Sequence, residues 1–102
     1  MSFEHVTITK KANVYYDGKV SSRSIVTATG EHKSLGFMLA GEYHFNTEAA
    51  EIMEVLAGAC RVRLDGCQAW DDYQAGQSFA VSAHSGFDIQ VSQYLDYICH
   101  FA

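Results

Sequence analysis

The residues of this chain that can do chemistry crowd into one stretch, Gly41 to Leu64, GEYHFNTEAAEIMEVLAGACRVRL. His44 supplies an imidazole that can donate a hydrogen bond or pass a proton near neutral pH. Glu51 supplies a carboxylate that can accept hydrogen bonds. Tyr43 and Phe45 offer aromatic faces, and Met53 offers an apolar wall. Phe87 and Tyr97 add further aromatics from downstream, and Arg23, Lys33 and His84 add donors. A carboxylate, an imidazole and several ring faces are the parts of a pocket for a small polar ligand with a flat apolar end.

The elements that must position these groups follow from the side-chain pattern. Glu42 to Asn46 alternates, with Tyr43 and Phe45 on one face, and Glu51 to Leu56 alternates, with Met53 and Val55 on one face. Period-two alternation marks a half-buried strand. The parity that turns Met53 and Val55 inward turns Glu51 inward as well. Asn46 to Ala50 breaks the pattern and reads as an acidic loop at the mouth of a barrel. Gly58 reads as a turn. Beyond it Cys60, Val62 and Leu64 alternate against Arg61 and Arg63, which should therefore point outward.

The rest of the chain repeats this grammar. Strands are expected over Phe3–Thr9, Ala12–Tyr16, Lys19–Ala28, Lys33–Leu39, Gln77–Val81, Phe87–Val91 and Leu95–Phe101. Asp17-Gly18 and Asp65-Gly66 are two-residue hairpin signals, since a type I′ turn needs positive φ at both central residues. A two-residue turn at Asp65-Gly66 would pair Leu64 with Cys67, Cys60 with Asp71 and Arg61 with Trp70, stacking that guanidinium on the indole. Thr29–Glu31 and Ala75-Gly76 turn the chain, and Ser82–Gly86 and Ser92-Gln93 connect strands. Short strands with turns every 8 to 12 residues or so predict an all-β sandwich or barrel. The length suggests one domain, 1–102.

Composition removes several classes of partner. The net charge is -5 and there is no Lys/Arg run. Nucleic acid and an anionic membrane surface are thus disfavoured, although a small anionic substrate could be held by a few local cations. No apolar stretch approaches the roughly 20 residues of a membrane span. The start, MSFEHVTITKK, lacks the apolar core of a signal peptide,. Cys60, Cys67 and Cys99 have no metal-site spacing and read as buried, reduced thiols of a cytoplasmic protein,.

Two glycine-anchored segments resemble the paired motifs of the cupin superfamily. His44-Phe45-Asn46, Glu51 and Gly58 fit the first frame. Gly76, Ser82-Ala83-His84, Gly86 and Phe87 fit the second. The four metal-ligand places of that superfamily read His44, Asn46, Glu51 and Phe87, and phenylalanine has no donor while asparagine is a poor one for a transition metal. No metal is therefore expected. A closer resemblance lies in NVYYDGKV (Asn13–Val20), LGFMLAGEYHFNT (Leu35–Thr47), EIMEVLAG (Glu51–Gly58) and DYICHF (Asp96–Phe101). Together these are similar to the small pyrimidine/purine nucleoside phosphorylase family, whose members are cupin-like proteins of about this length. Ser82 stands where that family often carries proline.

That resemblance implies an all-β, single-domain, cupin-like β-barrel of the jelly-roll type. It also implies reversible phosphorolysis of purine and pyrimidine nucleosides to free base and ribose 1-phosphate, with orthophosphate as co-substrate and no other cofactor. Under it, Glu51 would accept the ribose hydroxyls, and His44 would donate to phosphate or to the leaving base. Tyr43, Phe45, Phe87 and Tyr97, with Met53, would form the base slot. Arg23, Lys33 or His84 would meet the phosphate. A homodimer is expected from the cupin-like architecture. Two other readings stand beside it: a metal-dependent small cupin, such as a dioxygenase or isomerase, and a non-catalytic small-ligand-binding cupin.

Overall fold

The computed structural model describes residues 1–102. The strands are β1 (Thr7–Ile8), β2 (Asn13–Tyr15), β3 (Val20–Val26), β4 (His32–Asn46), β5 (Glu51–Leu64), β6 (Asp71–Gln74), β7 (Ser78–Val81) and β8 (Gly86–Phe101). They form one antiparallel sheet in the order β1-β3-β4-β8-β5-β6, with β2 on β3 and β7 on β5. The sheet curls on itself into a cupin-like half-barrel. No helix is long and apolar enough to cross a membrane.

Three long strands do the work of six expected ones. Gly58 does not turn the chain, and Ser92-Gln93 does not separate two strands. Instead β4 slips register against β8 between Leu39 and Gly41, and β5 slips twice, between Val55 and Ala57 and between Gly58 and Cys60. The first and last of these lie opposite the Val91–Leu95 segment of β8, and the Val55–Ala57 slip, which changes the parity of β5, lies opposite Asp96 and Tyr97. A bulge inserts residues into one strand only, so it bends the ladder and shifts the parity of the side chains. On β4 the buried set passes from Ser34 and Met38 to Tyr43, and on β5 from Met53 and Val55 to Cys60 and Val62. Each long strand thus keeps its apolar side chains inside across the bend. Phe87, Ile89 and Leu95 of β8 lie at the centre of the core and are essentially fully buried. Burying such a side chain contributes about 1.5–3 kcal/mol.

Both hairpin expectations need correction. Tyr15 pairs with Val20, so four residues, not two, join β2 to β3. Tyr16 and Asp17 both adopt left-handed backbone there, at φ 52° and 56°. Asp65-Gly66 does sit in a tight turn, with the Cys67 N–H donating to the Leu64 carbonyl at 3.0 Å. Pairing resumes only at Val62 with Asp71, which places Cys60 opposite Tyr73 and Arg61 opposite Asp72. Arg61 therefore binds Asp72 at 3.0 Å, and it is Arg63 that lies over Trp70, 4.7 Å from the ring centre. Of the three free thiols, Cys60 and Cys99 are buried but Cys67 is exposed.

Candidate active site inside the barrel

The inner face of the sheet lines an open cavity of about 210 Å³. Each side of it follows from strand register. From β3 and β4 come Ser22, Ser34 and Met38, from β5 come Glu51 and Met53, and from β8 come Phe87, Tyr97 and Cys99. Ser34 pairs with Cys99 and Cys99 with Met53, which makes one row across the sheet. Ser22 pairs with Gly36 and Gly36 with Tyr97, which makes the next. Tyr15, Phe45, Asn46 and Phe101 stand around them.

Glu51 is the one charged side chain in this lining. Burial raises its pKa, and a hydrogen bond with the Cys99 thiol acts in the opposite direction. Burial, then the Glu51 charge beside it, keeps the Cys99 thiol protonated. Burial likewise holds Tyr97 in its neutral phenol form. The cavity thus presents one carboxyl group and several hydroxyl and thiol donors against aromatic walls. Phe45 and Phe87 lie with ring centres 5.7 Å apart, and Tyr15 meets Phe45 edge to face at 6.2 Å.

The sequence candidates divide between the two faces of the sheet. Glu51, Met53, Phe87 and Tyr97 share the cavity. Tyr43 is buried in the core, where its hydroxyl donates to the Leu39 carbonyl at 2.8 Å. His44 has the opposite parity to Tyr43 and Phe45 and lies on the outer face. There it bonds Asp88 at 2.7 Å through Nδ1 and the Asn46 side-chain oxygen at 3.0 Å through Nε2. Two acceptors favour the imidazolium, so the Asp88 bond and then the Asn46 bond raise its pKa. Arg63 completes the cluster at 2.8 Å from Asp88, whose pKa is lowered by Arg63 first and His44 second.

The expected phosphate cations do not line the cavity. The Arg23 guanidinium donates to the Lys10 carbonyl on the outside of β3. Lys33 donates to His100 at 2.7 Å, and His100 in turn bonds Glu54 at 2.8 Å. His84 is exposed in the β7–β8 loop, in left-handed backbone at φ 53°. That loop needs no proline at Ser82, because the Thr47 hydroxyl donates to the Ser82 carbonyl at 2.6 Å and accepts from the Ser85 N–H at 3.0 Å. A wider groove of about 770 Å³ runs between β5, β6 and β8, but its one cation, Arg61, is tied to Asp72 and no sequence candidate lines it.

The model of the pyrimidine/purine nucleoside phosphorylase family matches residues 10–101. The chain belongs to the pyrimidine/purine nucleoside phosphorylase family. A pyrimidine/purine nucleoside phosphorylase from Hydrogenovibrio crunogenus is 56% identical over 99 residues, 97% of this chain and 95% of that one. A solved structure of a protein of unknown function from Acinetobacter sp. ADP1 superposes with a TM-score of 0.96 at 38% identity, covering 99% of this chain and 98% of that chain. A cupin from Shewanella frigidimarina, at 18% identity, superposes with a TM-score of 0.71 over 96% of this chain and 89% of its own, which bears on the fold alone.

Within this phosphorylase family chain the four superfamily ligand places do not fit a metal centre. His44 is outside the barrel, Phe87 is one of its walls, and Asn46 is engaged by His44. No group of three or more His, Cys, Asp or Glu side chains is placed to hold a metal ion. The sequence reading also passed over Tyr15, Ser22, Ser34 and Cys99. The signal for the two serines was present. Each is a small polar residue at an inward position of a strand, which a filled core would give to an apolar side chain.

Proposed function

We propose that the chain is a nucleoside phosphorylase of broad specificity, acting in the cavity around Glu51. The observation that carries this reading is the family membership joined to a cavity that sets one carboxyl group among aromatic walls. Phosphorolysis breaks the bond from C1′ to the base nitrogen and forms a bond from C1′ to a phosphate oxygen. The glycosidic electron pair leaves with the base, which takes up a proton, and the reverse reaction retraces each step. Positive charge develops at the sugar in between. Glu51 accepts hydrogen bonds from the ribose hydroxyls and stabilises that charge, a role in which a half-buried carboxylate counts for more than an exposed one,.

Breadth of substrate follows from how the base is held. Phe87, Phe45 and Met53 offer apolar surfaces and no base-specific donor, and stacking on the two rings accepts purines and pyrimidines alike,. The cavity, at about 210 Å³, is smaller than the ~300–1,000 Å³ of drug-sized pockets. A nucleoside seated on Glu51 by its ribose therefore leaves part of its base at the rim. The reading includes a cytoplasmic homodimer. The outer face of β4 exposes Leu35, Phe37 and Leu39, and Phe37 stacks on Tyr94 at 5.6 Å, an apolar stripe suited to a second copy,.

The test is base release from uridine and from inosine, with EDTA present, with and without orthophosphate. Release of both bases only with phosphate, with ribose 1-phosphate formed in equal amount, is the expected result. Release without phosphate would make the cavity a hydrolase. Release only after a divalent metal is restored would favour the metal-dependent cupin. Nucleoside binding without release under any condition would leave a binding module.

A further inference from the structure

The cavity that would receive a phosphate dianion contains no lysine, arginine or histidine. What it contains in their place is a set of neutral hydroxyl groups. Ser22 and Ser34 are both more than nine-tenths buried, on an otherwise apolar inner face. Tyr97 lies flat across β4, so that a Cβ at Gly36 would sit 2.4 Å from its hydroxyl oxygen. Gly36 is directly across from Ser22 and two residues along from Ser34 on the same face. Register thus brings the three hydroxyls to one wall.

Their hydrogens are free. The Asn13 amide donates to the Ser22 oxygen at 3.2 Å and to the Ser24 oxygen at 3.1 Å. Ser22 is used there only as an acceptor, so its own O–H remains to donate. Ser34 and Tyr97 make no side-chain hydrogen bond within the chain. No fully occluded side-chain N or O atom lacks a partner, so both oxygens open onto the cavity. Asn13 begins the NVYYDGKV stretch and reaches Ser22 through the β2–β3 pairing that also carries Tyr15 to the rim.

We propose that Ser22, Ser34 and Tyr97 form a cation-free oxyanion subsite that binds orthophosphate through neutral O–H donors, with Asn13 as the residue that positions Ser22. This deepens the phosphorylase reading and rests on it for the identity of the anion. Preorganised neutral donors in a buried site stabilise an anion without an ion pair. Glu51 lies in the same cavity, and burial raises its pKa,.

Two readings of the intact protein test the subsite: calorimetric binding of inorganic phosphate with no nucleoside present, and the KM for phosphate during base release. In the Ser22→Ala/Ser34→Ala double variant both constants are expected to rise by about tenfold or more, with the KM for nucleoside within about twofold. Ser34→Thr, which keeps the hydroxyl, should restore most of the loss. Asn13→Ala should raise the phosphate constants by about threefold and leave the nucleoside KM in place, a split that a purely structural role does not give. Circular dichroism and thermal melts establish that each variant is folded. Unchanged phosphate affinity in the folded double variant overturns the proposal, as does a loss found in Arg23→Ala or Lys33→Ala in its place. If the serines govern phosphate binding but no base is released, the subsite stands and the phosphorylase reading falls. If base release needs phosphate but ignores the serines, the reverse holds.

Discussion

Gly58→Ala is expected to cost the fold a large part of its stability. Gly58 lies in β5 at φ +85°, a left-handed conformation that costs an alanine about 1–2 kcal/mol,. A methyl group there would also lie 2.0 Å from the Tyr94 carbonyl oxygen. That oxygen is backbone, in the bulged part of β8, and cannot swing away as a side chain could. Forcing such contacts adds about 1–3 kcal/mol, and a domain has only about 5–15 kcal/mol in all. Gly66→Ala separates the two effects. Its φ of +82° is nearly the same, but nothing lies within 4 Å of the added methyl. Thermal melts should show a small fall for Gly66→Ala and a fall of about 12 °C or more, or failure to fold, for Gly58→Ala. Equal falls would mean that the close approach to β8 contributes nothing.

Gly36→Ala is expected to damage the cavity more than the fold. Its backbone is ordinary strand, so no conformational strain arises. The added methyl would lie 2.2 Å from Cζ of Tyr97. The ring must leave its place, and with it go one wall of the cavity and the hydroxyl beside Ser22 and Ser34. We expect a stability loss of about 1–3 kcal/mol and a fall in kcat/KM of about tenfold or more. Adding Tyr97→Leu should return much of the stability, because the clash is removed, but none of the activity. Stability losses that simply add in the double variant would place Tyr97 elsewhere than over Gly36.

Gly58 also marks where the sequence was readable and where it was not. Alternation along Glu51–Leu56 and again along Cys60–Leu64 was visible, and it correctly gave an all-β protein with Glu51 on the inner face. The shift of parity between the two runs was visible too, but a turn and a bulge both produce it. Only the pairing of both halves with one neighbour, β8, decides for the bulge. The same ambiguity hid β4 and β8, whose halves read as separate strands. At Asp65-Gly66 the turn signal was sound, yet pairing resumed only at Val62 with Asp71, so the partner of Trp70 became Arg63 and not Arg61.

The site was legible in proportion to how far parity reaches. Glu51, Met53, Phe87 and Tyr97 belong to runs whose inner face is set by their own neighbours, and the structure brings them together. His44 stood between Tyr43 and Phe45, so its outward direction was implied by the very alternation that identified the strand. Arg23 and Lys33 carry charge near a turn, but each satisfies itself on the outer face, with the Lys10 carbonyl and with His100. Ser22 and Ser34 carry no charge and so drew no notice, although polar groups facing a core are the rarer observation.

Whether chemistry belongs to the inner or the outer face is settled most directly by comparing Glu51→Ala with His44→Ala. Both would be assayed for phosphate-dependent base release, each variant first checked as folded. With Glu51 gripping ribose inside the barrel, Glu51→Ala should lower kcat/KM by more than about tenfold and His44→Ala by no more than about threefold. Full activity in a folded Glu51→Ala protein, with the loss appearing in His44→Ala, would contradict the account. The active site would then lie on the outer face, at the Arg63–Asp88–His44 cluster.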